Sequence, residues 1–333
     1  MKPSPWLLAV LWVGLIGGWF GPPALQAGES LPGADLRLGV NPTLGHLPIL
    51  AKRKGLLDHP PHPVHFEYYR FGQQVMNALL QDNVDAGIVG LGPLVFASLA
   101  GVRFQILATT ATYYDLYRLA VRQDRGISSI ADLVGKRIAV PKESTMSFFF
   151  HNFLTENGIS ASKVEIVYVD RIDQMPEMLR QGEIDAFCAR DPYASEAEKL
   201  LPGKISILSA PDLPANTINL VSTAKVIGEK REAFKSLLRS LMTASDQTRS
   251  APQESLALLE SVKEVDKKFL RQQWRKIHHE VFLGQELLLR MESIARWAIR
   301  NRLVPARSHP NYREYLDPSL LEEVRPEAVT LIH

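Results

Sequence analysis

Leu36-Arg-Leu-Gly-Val-Asn-Pro-Thr-Leu-Gly-His-Leu-Pro-Ile-Leu-Ala-Lys-Arg-Lys-Gly-Leu-Leu57 is the stretch on which the fold turns. Leu36 to Val40 reads as a buried strand. Asn41 to His46 is a polar, glycine-containing loop, and Leu47 to Leu57 is a short helix closed by Gly55. The same alternation continues outward. Val64 to Phe71 reads as a second strand, and Gln73 to Gln81 as a helix presenting Val75, Leu79 and Leu80 on one face. Ala86 to Gly90 is a third strand, Pro93 occupies the favoured first turn of another helix, and Phe104 to Thr109 is a fourth strand. Strands separated by helices of this length predict right-handed βαβ units and a parallel sheet covered on both faces.

A second series begins near Arg122. Ser129 to Val134 reads as a short helix, Lys136 to Pro141 as a strand, and Ser144 caps a helix running to Asn157-Gly158. Val164 to Asp170, Asp173 to Gln181, Asp185 to Ala189, Pro192 to Leu201 and Ile205 to Ser209 continue the alternation. Both series contain one small unit, Asn83-Val-Asp85-Ala86-Gly-Ile and Glu183-Ile-Asp185-Ala186-Phe-Cys, which suggests a single plan used twice. From Lys230 onward the chain turns helical, with apolar stripes of 3.6-residue period in 233–244, 253–262, 267–276 and 285–301. The expectation is an α/β protein of two lobes, each a mostly parallel sheet flanked by helices, with a cleft between them. Ligands of open α/β sheets bind beyond the carboxyl ends of the strands, so function should sit in the strand-to-helix loops.

The amino end and the composition bound the setting. Lys2 is followed by an uncharged run from Trp6 to Phe20, then Pro22-Pro23 and the small exit residue Ala27. This is the pattern of a secretory signal, and the run is shorter than the roughly 20 residues needed to span a bilayer. We therefore expect cleavage near residue 27 and an exported mature protein, without a lipid anchor because no Cys follows the signal. The 38 basic and 36 acidic residues nearly balance, which leaves no basic stripe for nucleic acid or an anionic membrane. The single Cys188 excludes an internal disulfide and sits in the apolar run 186–189, where a small buried hydrophobe is the expected role.

Motifs for nucleophilic, zinc-hydrolase, P-loop or dinucleotide chemistry are absent. His59, His62 and His65, interleaved with prolines, suit solvated loop residues better than metal ligands, and no metal or cofactor is expected. His278 and His279 point to opposite sides if they lie on a strand. What remains is a set of strand-end loops rich in amides and small polar groups. Asn41, Thr43, Gly45 and His46 follow the first strand, Leu91 and Gly92 the third. Ser144, Thr145 and Met146 open a helix after the first strand of the second lobe, and Arg190 and Asp191 follow a later one. Unpaired amides at a helix start attract anions, and a guanidinium can fork onto a carboxylate or sulfonate. Plain capping is the alternative for Ser144 and Thr145 and the preferred reading for Asp191, before a helix starting at Pro192; a salt bridge between the lobes is the alternative for Arg190.

Gly45-His-Leu-Pro48-Ile-Leu-Ala-Lys-Arg-Lys-Gly55, Phe71-Gly-Gln-Gln-Val-Met-Asn-Ala-Leu79 and Asp85-Ala-Gly-Ile-Val-Gly90 resemble the sulfonate/taurine/nitrate-type solute-binding proteins of ABC importers. Ile127-Ser-Ser-Ile-Ala-Asp132-Leu-Val-Gly135-Lys-Arg-Ile-Ala-Val140, Gly182-Glu-Ile-Asp185, Asp191-Pro192-Tyr193 and Tyr315-Leu-Asp317-Pro extend the resemblance in the same order to the end of the chain. The resemblance implies a type II periplasmic-binding-protein fold. Residues 28–121 and 222–333 would form the first lobe and 122–221 the second, with crossovers near 120–122 and 221–223. It implies a monomeric periplasmic protein without enzymatic activity, binding a small anionic solute such as a sulfonate, taurine or nitrate for an ABC transporter permease. The family often has Gly-Ser where this chain has Glu143-Ser144, and an aromatic residue where it has Arg190. That exchange implies a more anionic or polar ligand than the family norm. The rival reading is an enzyme of thiamine-pyrimidine or menaquinone-precursor synthesis on the same fold.

Overall fold

The computed structural model describes residues 35–58, 62–114, 116–142, 144–208 and 215–332. The expected signal segment 1–27 and His59 lie outside these residues. The opening stretch forms β1 (Leu36–Val40) and α1 (His46–Arg53), as its pattern predicts. β2 (Val64–Tyr68), α2 (Gly72–Leu80), β3 (Ala86–Gly90), α3 (Leu91–Leu99) and β4 (Gln105–Tyr113) follow in alternation. The second series comprises β5 (Arg118–Arg122), β6 (Arg137–Pro141), α4 (Thr145–Glu156), β7 (Glu165–Val169), α5 (Met175–Gln181), β8 (Ala186–Ala189), α6 (Tyr193–Leu200) and β9 (Ile205–Leu208). Ser129 to Val134, expected as a short helix, contains only a 3-10 turn over Ala131–Leu133. The chain ends with β10 (Asn216–Ser222), the helices α7 (Ala224–Glu229), α8 (Arg231–Ser250), α9 (Pro252–Glu260) and α10 (Lys267–Gln273), the short β11 (Ile277–His278), and α11 (Gln285–Arg300).

The strands form two main sheets built on one plan. The first has the order β2-β1-β3-β10-β4-β11 and the second β7-β6-β8-β5-β9. β1 pairs in parallel with β2 and β3, as β6 does with β7 and β8. In each sheet one strand is inserted antiparallel: β10 between β3 and β4, and β5 between β8 and β9. The sheets are therefore mixed, with the expected parallel strands interrupted by a strand arriving from the other series. That exchange moves the crossovers. β5 lies wholly in the second sheet and β10 wholly in the first, so the chain changes sheets before Arg118 and before Asn216, not at 120–122 and 221–223.

The repeated Asp-Ala unit has a structural cause. The Arg37 amide and guanidinium bind the Asp85 carboxylate (N–Oδ2 2.8 Å, Nε–Oδ2 3.2 Å, Nη2–Oδ1 3.0 Å). Arg137 holds Asp185 in the same way, at 3.0, 3.1 and 3.0 Å. Each Asp also takes a second cation from outside its parallel strands: Lys230 at 3.0 Å for Asp85 and Arg125 at 2.6 Å for Asp185. Burial alone would raise the Asp185 carboxyl, but the hydrogen bonds from Arg137 and Arg125 outweigh it and bring the pKa down to about 2. Asp85 is lowered from its ordinary value by the same balance, with Arg37 and Lys230 opposing burial.

Apolar packing follows the pleat of the sheets. Leu119, Val121, Ile138 and Val140 face a core that runs on into the first lobe, through Phe149, Phe150 and Phe153 of α4. Their alternates Ala120 and Ala139 face a separate core with Phe187, Met175 and Leu179. The lobes also touch directly. Gly92 N donates to Thr145 Oγ1 at 2.8 Å, Lys268 Nζ to Ser195 Oγ at 2.8 Å, and Trp297 of α11 packs edge-on against Phe148 and His151 of α4.

Candidate functional site

A cleft of about 580 Å³ opens between the two sheets. Its walls come from the carboxyl ends of the parallel strands: Asn41 after β1, Arg70 after β2 and Gly90 ending β3, then Pro141 ending β6, Asp170 after β7 and Arg190 after β8. Tyr117 and Asn216, beside the two crossovers, complete its floor. The strand-end rule thus locates the site, because a βαβ connection leaves the strand's last amides and carbonyls free at that end.

Arg190 is the charged centre of this cleft. It is only 5% exposed, yet it forms no ion pair among the described residues. Its Nη1 donates to the neighbouring Asp191 carbonyl at 3.0 Å, and its guanidinium stands 5.9 Å from the centre of the Tyr193 ring. The alternative, a salt bridge between the lobes, has no partner for Arg190 among the described residues. A buried guanidinium without a carboxylate is unfavourable until an anion joins it.

The first turn of α4 lines the same cleft. Ser144 is its N-cap: its Oγ accepts from Ser147 N at 3.2 Å and donates to the Pro141 carbonyl at 2.8 Å. This hydroxyl is therefore occupied, and it is the amides of Thr145 and Met146 that the helix start leaves over. Thr145 and Met146 both line the cleft. The Thr145 hydroxyl meanwhile accepts the Gly92 amide across the lobes, and a methyl group on Gly92 would overlap the Thr145 amide and hydroxyl. Gly92 is thus a close-approach point between α3 and α4 and does not itself line the cleft.

The other expected residues divide. Asn41 lines the cleft, but its amide is fully engaged: Oδ1 accepts from Thr43 N (3.0 Å) and Leu44 N (3.2 Å), and Nδ2 donates to the carbonyls of Tyr69 and Arg70. It clamps two strand-end loops together. Thr43 lines an adjoining pocket at the mouth, and Leu91 a second chamber described below. Gly45 and His46 are behind the wall. A Cβ on Gly45 would press on Val40, and His46 is fully buried, with Nδ1 3.1 Å from the Tyr113 hydroxyl. Burial, with His279 nearby, holds the His46 imidazole neutral well below its ordinary pKa. Asp191 turns away from the cleft and caps α6, its Oδ1 accepting from Ser195 N (3.0 Å) and Oγ (2.8 Å).

Sequence reasoning missed Arg70, the Phe71-Gly72-Gln73-Gln74 turn, Tyr117, Lys142, Asp170 to Asp173, Asn216 and Ile218. The 70–74 and 170–173 segments follow strands β2 and β7, so the strand-end rule, applied evenly, would have found them. Tyr117 and Asn216 carry no such signal, since Tyr117 directly precedes β5 and Asn216 opens β10, the strands that cross between the sheets. Among the described residues no group of His, Cys, Asp and Glu is placed to hold a metal. His65 instead hydrogen-bonds the Asp35 carboxylate at 3.1 Å. Cys188 is buried behind Met146, its thiol raised by burial and donating to the Met146 carbonyl at 3.7 Å. No helix of the described residues is long and apolar enough to cross a membrane.

Comparison with known proteins agrees with this geometry. An aliphatic sulfonates-binding protein of Escherichia coli, itself named as putative, is 29% identical over 237 residues, covering 70% of this chain and 72% of the relative. The crystal structure of the periplasmic aliphatic sulphonate-binding protein of Escherichia coli superposes with a TM-score of 0.70 at 22% identity, over 85% of this chain and 97% of that one. The desulfurization enzyme DszB shares the fold as well, with a TM-score of 0.65 at 15% identity, over 88% and 99% of the two chains. The model of the NMT1-like family matches residues 29–258, well over half of the sequence. The chain belongs to the NMT1-like family.

Proposed function

We propose that this protein is the substrate-binding component of an ABC importer, taking up a small organic anion of the sulfonate class in the cleft between its two lobes and delivering it to a permease. The observation that carries the reading is Arg190: a guanidinium 5% exposed, without an ion pair among the described residues, lining the same cleft as the first turn of a helix. Three sulfonate oxygens suit a forked donor and two amides, and the sulfonate-binding relative supports the same ligand class. Residues 1–27 act as a cleaved export signal, and the mature chain works in the periplasm as a monomer. The lobes close about the points where the chain passes between the sheets, next to the starts of β5 and β10.

The enzyme reading has less to stand on. Among the described residues the cleft contains no Cys, His or Glu, and its ionisable groups are Arg70, Tyr117, Lys142, Asp170, Arg171, Asp173 and Arg190. Arg171 and Asp173 are paired with each other at 2.6 Å.

Thermal unfolding of the mature chain against a panel of sulfonates, taurine, nitrate and carboxylates tests the proposal. A bound ligand at 100 times its Kd should add about 2.7 kcal/mol of stability. Stabilisation by a sulfonate and not by its uncharged sulfone or amide analogue is the expected result. If no anion stabilises the protein, the binding reading fails.

A further inference from the structure

The cleft does not end at Tyr117, Thr145 and Asn216. These three side chains also line a second chamber of about 270 Å³ on their far side, between α4 and α11. Leu91, Phe148, Phe149, Leu289 and Ile294 make its surface mainly apolar, and Asn152, Glu286, Arg290 and Ser293 also contribute to its wall. Leu289 is 58% exposed, an unusual state for a large aliphatic side chain at the rim of a cavity. Between the two chambers, Asn216 is 3% exposed, and its Oδ1 is buried without a hydrogen-bond partner among the described residues. Its neighbour in the strand, Asn219, shows how this protein treats a buried amide that has only a structural role. The Asn219 Oδ1 accepts from Thr109 Oγ1 at 2.9 Å, and its Nδ2 has Val89 O and Thr217 within reach. An orphaned buried acceptor costs about 1–3 kcal/mol, and here it lies where two cavities meet.

We propose that the ligand spans both chambers: its anionic head lies at Arg190 and the start of α4, an N–H or O–H group in its middle donates to Asn216 Oδ1, and an apolar tail fills the chamber between α4 and α11. This rests on the cleft being an anion site and narrows its ligand to extended sulfonates with an internal donor. Asn216 is the residue that selects for the donor. The aromatic and aliphatic wall selects for the tail.

Three probes separate these roles by calorimetry. 2-Benzamidoethanesulfonate carries head, N–H and phenyl tail. 4-Oxo-4-phenylbutane-1-sulfonate replaces the N–H with CH₂, and 2-acetamidoethanesulfonate replaces the phenyl group with methyl. The wild-type protein should bind the first about 10-fold or more tightly than either of the others. Asn216→Leu should erase the preference for N–H over CH₂ while the carbon analogue still binds. Leu289→Asp, at an exposed position that does not endanger folding, should erase the preference of phenyl over methyl. Equal wild-type affinities for the three probes, or preferences that survive both substitutions, overturn the proposal. Binding without preference, or failure of all three probes while a smaller sulfonate stabilises the protein, overturns it alone; failure of all three together with every sulfonate of the thermal panel overturns the sulfonate reading as well.

Discussion

The two lobes share a plan and differ in what they bring to the cleft. Their parallel strands pair in the same register, with Arg37 and Arg137 on the central strand and Asp85 and Asp185 before the third. At the strand ends the equivalent positions diverge. Gly90 ends β3 where Arg190 follows β8, and Arg70 follows β2 where Asp170 follows β7. The first lobe closes its loops onto themselves through the Asn41 amide, whereas the second leaves a guanidinium and a helix start facing the cleft. Repetition of a scaffold therefore preserves the buried ion pair that ties neighbouring strands together. The strand-end loops carry no packing duty of that kind and are free to specialise.

The largest expected effect tests the shared part. Asp85→Ala leaves Arg37 and the mostly buried Lys230 without their carboxylate and should cost about 3 kcal/mol in denaturant unfolding. Asp185→Ala should cost less, because Arg125 and Arg137 are both more open to water than Lys230. The reverse order would mean that the two pairs are not equivalent in the way their geometry implies. The acid limb sharpens the same point. A carboxylate whose folded pKa of about 2 lies below its ordinary 3.8 contributes stability that is present above 3.8 and is lost as the pH falls toward 2. Asp185→Asn should flatten that part of the stability profile, and an unchanged acid limb would show that the pair contributes nothing.

The next effect tests the divergence. Arg190→Ala should weaken a sulfonate by about 1.5–3 kcal/mol, roughly 10- to 100-fold in Kd by calorimetry. Arg70→Ala, at an exposed side chain of the other lobe, should weaken it less. If Arg70 proves the costlier loss, charge recognition belongs to the first lobe and the comparison is inverted. The smallest effect concerns Ser144. Since its hydroxyl already caps α4 and holds the Pro141 carbonyl, Ser144→Ala should cost about 1 kcal/mol of stability, with a smaller change in affinity than Arg190→Ala.

Most of the parallel strands and their helices were legible in the sequence, because buried βαβ units write themselves as short apolar runs between helical periods. The two crossover strands were not. Asn216-Thr-Ile-Asn-Leu-Val-Ser222 is buried at every position, so it shows no alternation, and its Asn and Ser residues read as loop. Asn219 and Ser222 are tolerated because the Thr109 hydroxyl and the Val89 and Asp85 carbonyls pair with them from distant parts of the chain. The same distance dependence governs the site. Strand ends could be read as binding loops, and Ser144, Thr145, Met146 and Arg190 do converge there. His46 and Asp191 looked equally eligible by type and position, yet packing against Tyr113 and capping of Ser195 took them out of the cleft.

The sequence by itself determined the alternation of elements, the doubled Asp-Ala unit and the end of the sheets at which a ligand would be met, since all three follow from periodicity and neighbours along the chain. Which strand crosses to the other sheet, which polar side chains turn toward the cleft and which bury into the wall, and the meeting of two chambers at Asn216 were decided only by tertiary structure. Those outcomes depend on hydrogen-bond partners and packing surfaces supplied from far along the chain, and local pattern carries no record of them.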